Sequence, residues 1–177
     1  MKLLRTIRLG ASDTFVFTTA AQPGEWAISG AFVFWNGDPD KLEGKARTAF
    51  RSGFLGIASL GWSTLAQIVD ADERDRHAAI DVLAQQLLSK FGAPGPGEAR
   101  AAAKEEIAFA ESLCNQPRDT LIAVHRTFEN GDVREQFRTL RPRQGQKPAR
   151  AFSFFETEGE DELAGEDVHL VGLAKQE

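Results

Sequence analysis

Apolar and polar positions alternate with period two near both ends of the chain, while a 3.6-residue apolar repeat fills its middle. Leu3 to Leu9 and Thr14 to Thr18 are short apolar or β-branched runs separated by Gly10-Ala11-Ser12-Asp13, a pattern that predicts a hairpin. Gln22-Pro23-Gly24 turns the chain into Glu25 to Trp35, which is apolar on both faces towards its end and is therefore expected to be a covered strand. Asp40 is placed to N-cap a helix over Lys41 to Phe50, with Gly53 as its left-handed stop. From Ala58 the alternation returns. Ala58, Leu60, Trp62, Thr64, Ala66 and Ile68 would share one strand face, opposite the small polar set Ser59, Gly61, Ser63 and Gln67.

The helical repeat is clearest after Asp70 and Asp72, where Ile80, Leu83, Ala84, Leu87 and Phe91 recur on one stripe. Gly92 to Gly97 stops that helix and starts another, running to about Cys114 with Ala103, Ile107, Ala110 and Cys114 inward. The two are expected to form an αα-hairpin. Beyond them, two alternating runs flank Asn130-Gly131, the preferred centre of a type I′ turn. That turn sets a register. Phe128 faces Val133, Arg126 faces Glu135 and Val124 faces Phe137 on one side; Thr127 faces Arg134, His125 faces Gln136 and Ala123 faces Arg138 on the other. Arg143 to Arg150 reads as an exposed connection, and Ala151 to Glu156 as a last edge strand or clamp.

The fold class expected from this order is α+β: an antiparallel or mixed sheet of about six strands, with about three helices packed mainly on one face. Residues 1–155 form one domain in this reading, and 156–177 an acidic tail. A chain of 177 residues with 42% apolar content needs no metal or disulfide staple. Its single cysteine, and Arg5 and Arg8 interrupting the first apolar run, point to the cytoplasm rather than a secretory route. The longest apolar stretch, Ala27 to Trp35, is about half the length that spans a membrane.

Charge is unevenly distributed. The net charge of −5 argues against general nucleic-acid binding. Yet Val133 to Phe155 carries six basic residues and one acidic, and Glu156 to Glu177 eight acidic and one basic. The basic segment leaves weak nucleic-acid binding as a distant alternative without a recognition motif to accompany it.

Several chemistries fail at the level of spacing. Gly44-Lys45 lacks the upstream Gly and downstream Ser or Thr of a phosphate-binding loop. Asp70 to Asp75 has Asp75 and Asp81 where a calcium loop needs Gly and Glu. The three histidines lie on separate elements without ligand spacing, so no metal and no cofactor is expected. Cys114, near a helix C-terminus, is expected to be buried and inert. Glu105, Glu106 and Glu111 read as an exposed helix face. The absence of Tyr against 13 Phe leaves aromatic contacts to Phe and the three Trp.

The remaining constellation is His125 among Arg134, Gln136 and Arg138 on the polar hairpin face, with a groove beside Trp62. Guanidinium groups around an imidazole suit a carboxylate or phosphate. The bland counterpart is a solvated face of an antiparallel sheet. The first functional reading is a non-catalytic binding or accessory protein for an anionic small molecule or a protein partner. The alternative is a small cofactor-independent enzyme with His125 as acid or base and Arg134 or Arg138 as anion clamp.

Over Glu25 to Val69 and again over Leu121 to Pro142, the chain resembles a bacterial family catalogued only as a domain of unknown function. The resemblance covers about Leu3 to Pro142. It implies a bacterial, cytosolic setting and carries no activity, cofactor or catalytic residue.

Overall fold

The alternating stretches build the main sheet. The computed structural model describes residues 1–142 and the backbone of 155–158. Its strands in chain order are β1 (Lys2–Thr6), β2 (Ala27–Ile28), β3 (Phe54–Gly56), β4 (Trp62–Ser63), β5 (Leu65–Asp70), β6 (Leu121–Glu129), β7 (Asp132–Pro142) and β8 (Phe155–Glu158). The helices are α1 (Asp13–Val16), α2 (Gly44–Ser52), α3 (Glu73–Lys90) and α4 (Pro96–Ser112). A five-stranded sheet runs β1-β5-β6-β7-β8 and a three-stranded one β2-β3-β4, every strand pair within them antiparallel. The chain is thus α+β, with its strands divided between two sheets rather than one.

The helical hairpin follows its apolar stripes. Ala79, Ile80, Leu83, Ala84 and Leu87 of α3 and Ala99, Ala103, Ile107 and Ala110 of α4 are buried in one core with Leu4, Ala66, Ile68, Ile122 and Val124 of the sheet. Each fully buried Leu or Ile contributes roughly 1.5–3 kcal/mol. Asp72 and Asp75 close a capping box at the start of α3, and the bond from the Asp75 amide holds the Asp72 carboxyl below its usual range. A smaller cluster of Leu65, Leu121 and Leu140, joined by Ile7, Leu9 and Ala123, occupies the other sheet face.

Four local expectations are corrected. Thr14 to Thr18 does not pair with β1: the Asp13 carboxylate accepts the amides of Leu9 (2.6 Å) and Gly10 (3.3 Å), winding the chain into the short α1. The partner of β1 is instead β5, Leu4 opposite Ile68. Glu25 to Trp35 is strand only at Ala27–Ile28, because left-handed Gly30 (φ 77°) turns it into a 3-10 turn over Ala31–Phe34. Asp38, not Asp40, caps a 3-10 turn at Pro39–Lys41, and α2 starts only at Gly44. The expected strand from Ala58 is split by Leu60 at φ 56°, whose amide returns to the Gly56 carbonyl at 2.9 Å.

Two glycines owe their place to close approach. Gly53 is extended (φ −94°) rather than left-handed, and a Cβ there would sit 2.7 Å from the Trp62 ring. At Gly61 a Cβ would meet the Ala20 carbonyl at 2.5 Å, where Thr19–Ala21 runs alongside Trp62. The space beside Gly61 is therefore filled by the Ala20–Ala21 backbone, and the space beside Gly53 by the Trp62 ring. The β6–β7 hairpin forms in the expected register around Asn130 (φ 52°) and Gly131 (φ 81°). Residues 143–154, including the expected connection and the start of the last strand, lie outside the described residues, as does 159–177; β8 spans the expected boundary at 155.

Candidate functional site

The inward face of the hairpin carries the opposed charged pair Arg126 and Glu135 among apolar residues. Arg126 follows Val124 and precedes Phe128 on that face, and its side chain has no solvent exposure. Its Nε donates to Glu135 Oε1 at 2.8 Å across the strands. One terminal nitrogen donates to the carbonyls of Ala49 (3.4 Å) and Phe50 (3.0 Å) in the last turn of α2, and the other to the Ser29 carbonyl. The Ser29 hydroxyl donates to the same Glu135 oxygen. Burial pushes the Arg126 guanidinium below its ordinary value, while Glu135 and Glu106 hold it up. One guanidinium thus closes the C-terminus of α2, fixes the turn that precedes Gly30 and neutralises Glu135.

Aromatic rings cover this centre. Phe34 stacks on Trp62 with centroids 5.3 Å apart, and both rings lie 6.0 Å from the guanidinium carbon. Trp62 is wedged between Gly30 and Gly53: a Cβ at Gly53 would clash with its ring, and one at Gly30 would clash with Leu55 and press on the ring at 3.1 Å. On the α4 side, Glu106 is half-buried rather than exposed as expected. Burial first, then the charges of Glu135 and Glu105, push its carboxyl up to about 7, against the opposing pull of Arg126.

Beside this centre, at the turn end of the hairpin, lies a cleft of about 310 Å³ lined by Phe34, Trp35, Phe128, Gly131, Asp132 and Val133. Trp35 at its lip is 65% exposed. Aromatic surface continues from there: Phe32 meets Trp35 edge-on at 6.4 Å and Phe91 at 5.1 Å.

The structure brings four of the sequence-predicted site residues together and separates the fifth. His125 and Gln136 are directly opposed, with Arg134 and Arg138 one pair to either side. They occupy the sheet face turned away from α2. His125 is exposed, Arg134 is 61% exposed and 3.4 Å from Glu129, and Gln136 and Arg138 are half-buried. Trp62 lies across the sheet, under Phe34. Trp62 is not among the residues that line the cleft. Cys114 is buried, its thiol 3.3 Å from the Ala110 carbonyl and pushed by burial up to about 11. Among the described residues, no group of three or more His, Cys, Asp or Glu side chains is placed to hold a metal. No helix among them is long and apolar enough to cross a membrane.

Sequence reasoning assigned no site role to Arg126, Glu135 or Ser29, and placed Glu106 on an exposed helix face. A signal for the first two was present: in the predicted register Arg126 and Glu135 face each other on an otherwise apolar face. Nothing local marks Ser29 or Glu106, which come from remote elements.

Fold and site together define an α+β domain that holds its main charged cluster inside and displays aromatic residues beside a cleft. The chain belongs to DUF6505, a family of unknown function, whose model matches residues 1–155. Comparison with curated proteins and with solved structures found no match.

Proposed function

We propose that this is a non-catalytic accessory protein that binds a partner polypeptide through the cleft between Phe34, Trp35, Phe128 and Val133, in a bacterial cytoplasm. The observation that carries the reading is Trp35, an indole 65% exposed at the lip of a cleft that Phe34 and Phe128 also line. Exposed tryptophan beside a pocket is the kind of residue that dominates binding energy when a partner covers it. The rigid base beneath supports the same reading: Phe34 is held by Trp62 and by Phe50, with which it makes an edge contact at 5.1 Å. Asp132 on the rim favours a basic side chain next to the apolar anchor.

The test compares proteins retained by the tagged full chain in its own host with those retained by Trp35→Ala and by Phe15→Ala. Phe15 is 72% exposed on α1 and serves as a control for general stickiness. A species kept by wild type and Phe15→Ala but depleted at least about tenfold by Trp35→Ala supports the cleft. Equal retention by Trp35→Ala, or no retained species at all, overturns it.

A further inference from the structure

We infer that the cleft recognises arginine: a guanidinium of the partner polypeptide lies on the exposed Trp35 indole and pairs with the Asp132 carboxylate. This rests on the partner-binding reading above and names the side chain of the partner that the cleft selects.

Trp35 and Asp132 decide the ligand. Trp35 is 65% exposed, and among the described residues no ring stacks on it; Phe32 meets it edge-on at 6.4 Å. Its π-surface is open to a cation. Asp132 supplies the charge of the cleft lining. It is exposed at the hairpin end, and among the described residues no cation pairs with its carboxylate. The neighbouring cations are committed elsewhere: Arg134 lies 3.4 Å from Glu129, Lys41 3.4 Å from Asp38 and the buried Arg126 2.8 Å from Glu135. An uncompensated carboxylate beside an aromatic face attracts a cation and repels an anion.

Chemistry narrows the cation to arginine. A guanidinium is planar and weakly hydrated, so it stacks on an indole while its N–H groups fork to a carboxylate; an ammonium is a compact, strongly hydrated point charge. The Gly131 carbonyl, at the tip of the turn, stays outside the ladder and is a second acceptor at this end of the hairpin. This chain already uses an arginine in the same way. Arg5 Cζ lies 3.9 Å from the centroid of the Trp26 ring while one terminal nitrogen donates to the Gly24 carbonyl at 2.8 Å. Phe128 and Val133 in the lining offer apolar surface to the methylene stem of an incoming arginine. At about 310 Å³, the cleft stands at the lower end of the roughly 300–1,000 Å³ that ligand sites occupy, which suits one long side chain.

The probe is the peptide acetyl-Gly-Leu-Arg-Leu-Gly-amide, titrated into the isotope-labelled full chain beside versions with lysine, citrulline or glutamate at the central position. The readout is the indole N–H resonance of Trp35, one of three tryptophans, assigned by its loss in Trp35→Phe. The expected result is a saturable shift with the arginine peptide. Binding is at least about threefold weaker for lysine and at least about tenfold weaker for glutamate and for citrulline, which keeps the shape and loses the charge. Asp132→Asn weakens the arginine peptide at least about threefold, with the Trp26 and Trp62 resonances of the free protein in place as the sign of an intact fold. No saturable shift, a preference for arginine smaller than these, or a smaller effect of Asp132→Asn overturns the inference. A cleft filled by the acidic tail of the chain or by a second copy gives no shift and counts the same way. Failure here with a Trp35-dependent capture intact removes the arginine inference alone; loss of that capture result removes the cleft reading itself.

Discussion

Replacing Glu106 by Gln makes the protein more stable at pH 8 and leaves it nearly unchanged at pH 4.5. The carboxyl on α4 is displaced from 4.5 to about 7 by burial and by the nearby charges of Glu135 and Glu105. At about 1.36 kcal/mol per tenfold change in proton affinity, that displacement corresponds to roughly 3 kcal/mol, or about 2–3 kcal/mol once solvent access to the half-buried side chain is allowed for. Below pH 4.5 the group is protonated in both folded and unfolded chains, and nothing is lost. Between 4.5 and about 7 the unfolded chain releases the proton while the native state keeps it, so stability falls as pH rises; above about 8 the full penalty is present. Glu106→Gln removes this slope because the amide does not ionise. Urea unfolding of both proteins from pH 4.5 to 8.5 measures it, with the exposed Glu105→Gln as control. For a chain of this size, 2–3 kcal/mol corresponds to a rise of roughly 4–12 °C in Tm at pH 8. A stability difference that stays constant across this pH range, or one that appears equally in Glu105→Gln, would refute the reasoning.

Removing Arg126 leaves Glu135 buried without its cation and the carbonyls of Ser29 and Phe50 without their donor. Arg126→Met is expected to cost about 3–5 kcal/mol in denaturant unfolding, and Arg126→Lys to recover less than half, since one ammonium cannot reproduce the fork; a loss under about 1 kcal/mol would show that the clamp is dispensable. Gly53→Ala drives a Cβ into the Trp62 ring and the Ala49 carbonyl. A loss of about 1–3 kcal/mol with altered tryptophan fluorescence is expected, whereas an unchanged spectrum and midpoint would contradict the close approach. Cys114, buried with its thiol raised to about 11, should resist a thiol reagent at pH 8 in the native state and react on unfolding. Rapid stoichiometric labelling of the folded protein is the opposing outcome.

Elements whose specification is local were legible in the sequence. The β6–β7 register followed from Asn130-Gly131 and period-two alternation, because a two-residue turn admits one pairing. α3 and α4 followed from apolar stripes long enough to outweigh any competing period. The reading faltered where a remote group decides the backbone. Glu25 to Trp35 is apolar enough for a strand, yet Arg126, about a hundred residues later, takes the Ser29 carbonyl, and Gly30 supplies the left-handed turn. The run from Ala58 alternates as a strand would, yet Leu60 turns back to Gly56. Alternation reports which side a residue faces and carries no information about a break in the backbone.

The same division holds for the site. By itself the sequence determined the α+β class, the two long helices, the C-terminal hairpin and the grouping of His125, Arg134, Gln136 and Arg138 on one face, since each depends on neighbours within a few residues or across one tight turn. Only the tertiary structure decided that Trp62 lies on the other side of the sheet, that Arg126 ties α2, Ser29 and Glu135 together, that Glu106 faces this centre, and that Phe34 and Trp35 open a cleft at the hairpin's end. Those relations join residues up to about a hundred positions apart. They arise because a buried charge must collect its partners from whatever elements the packed core brings within reach.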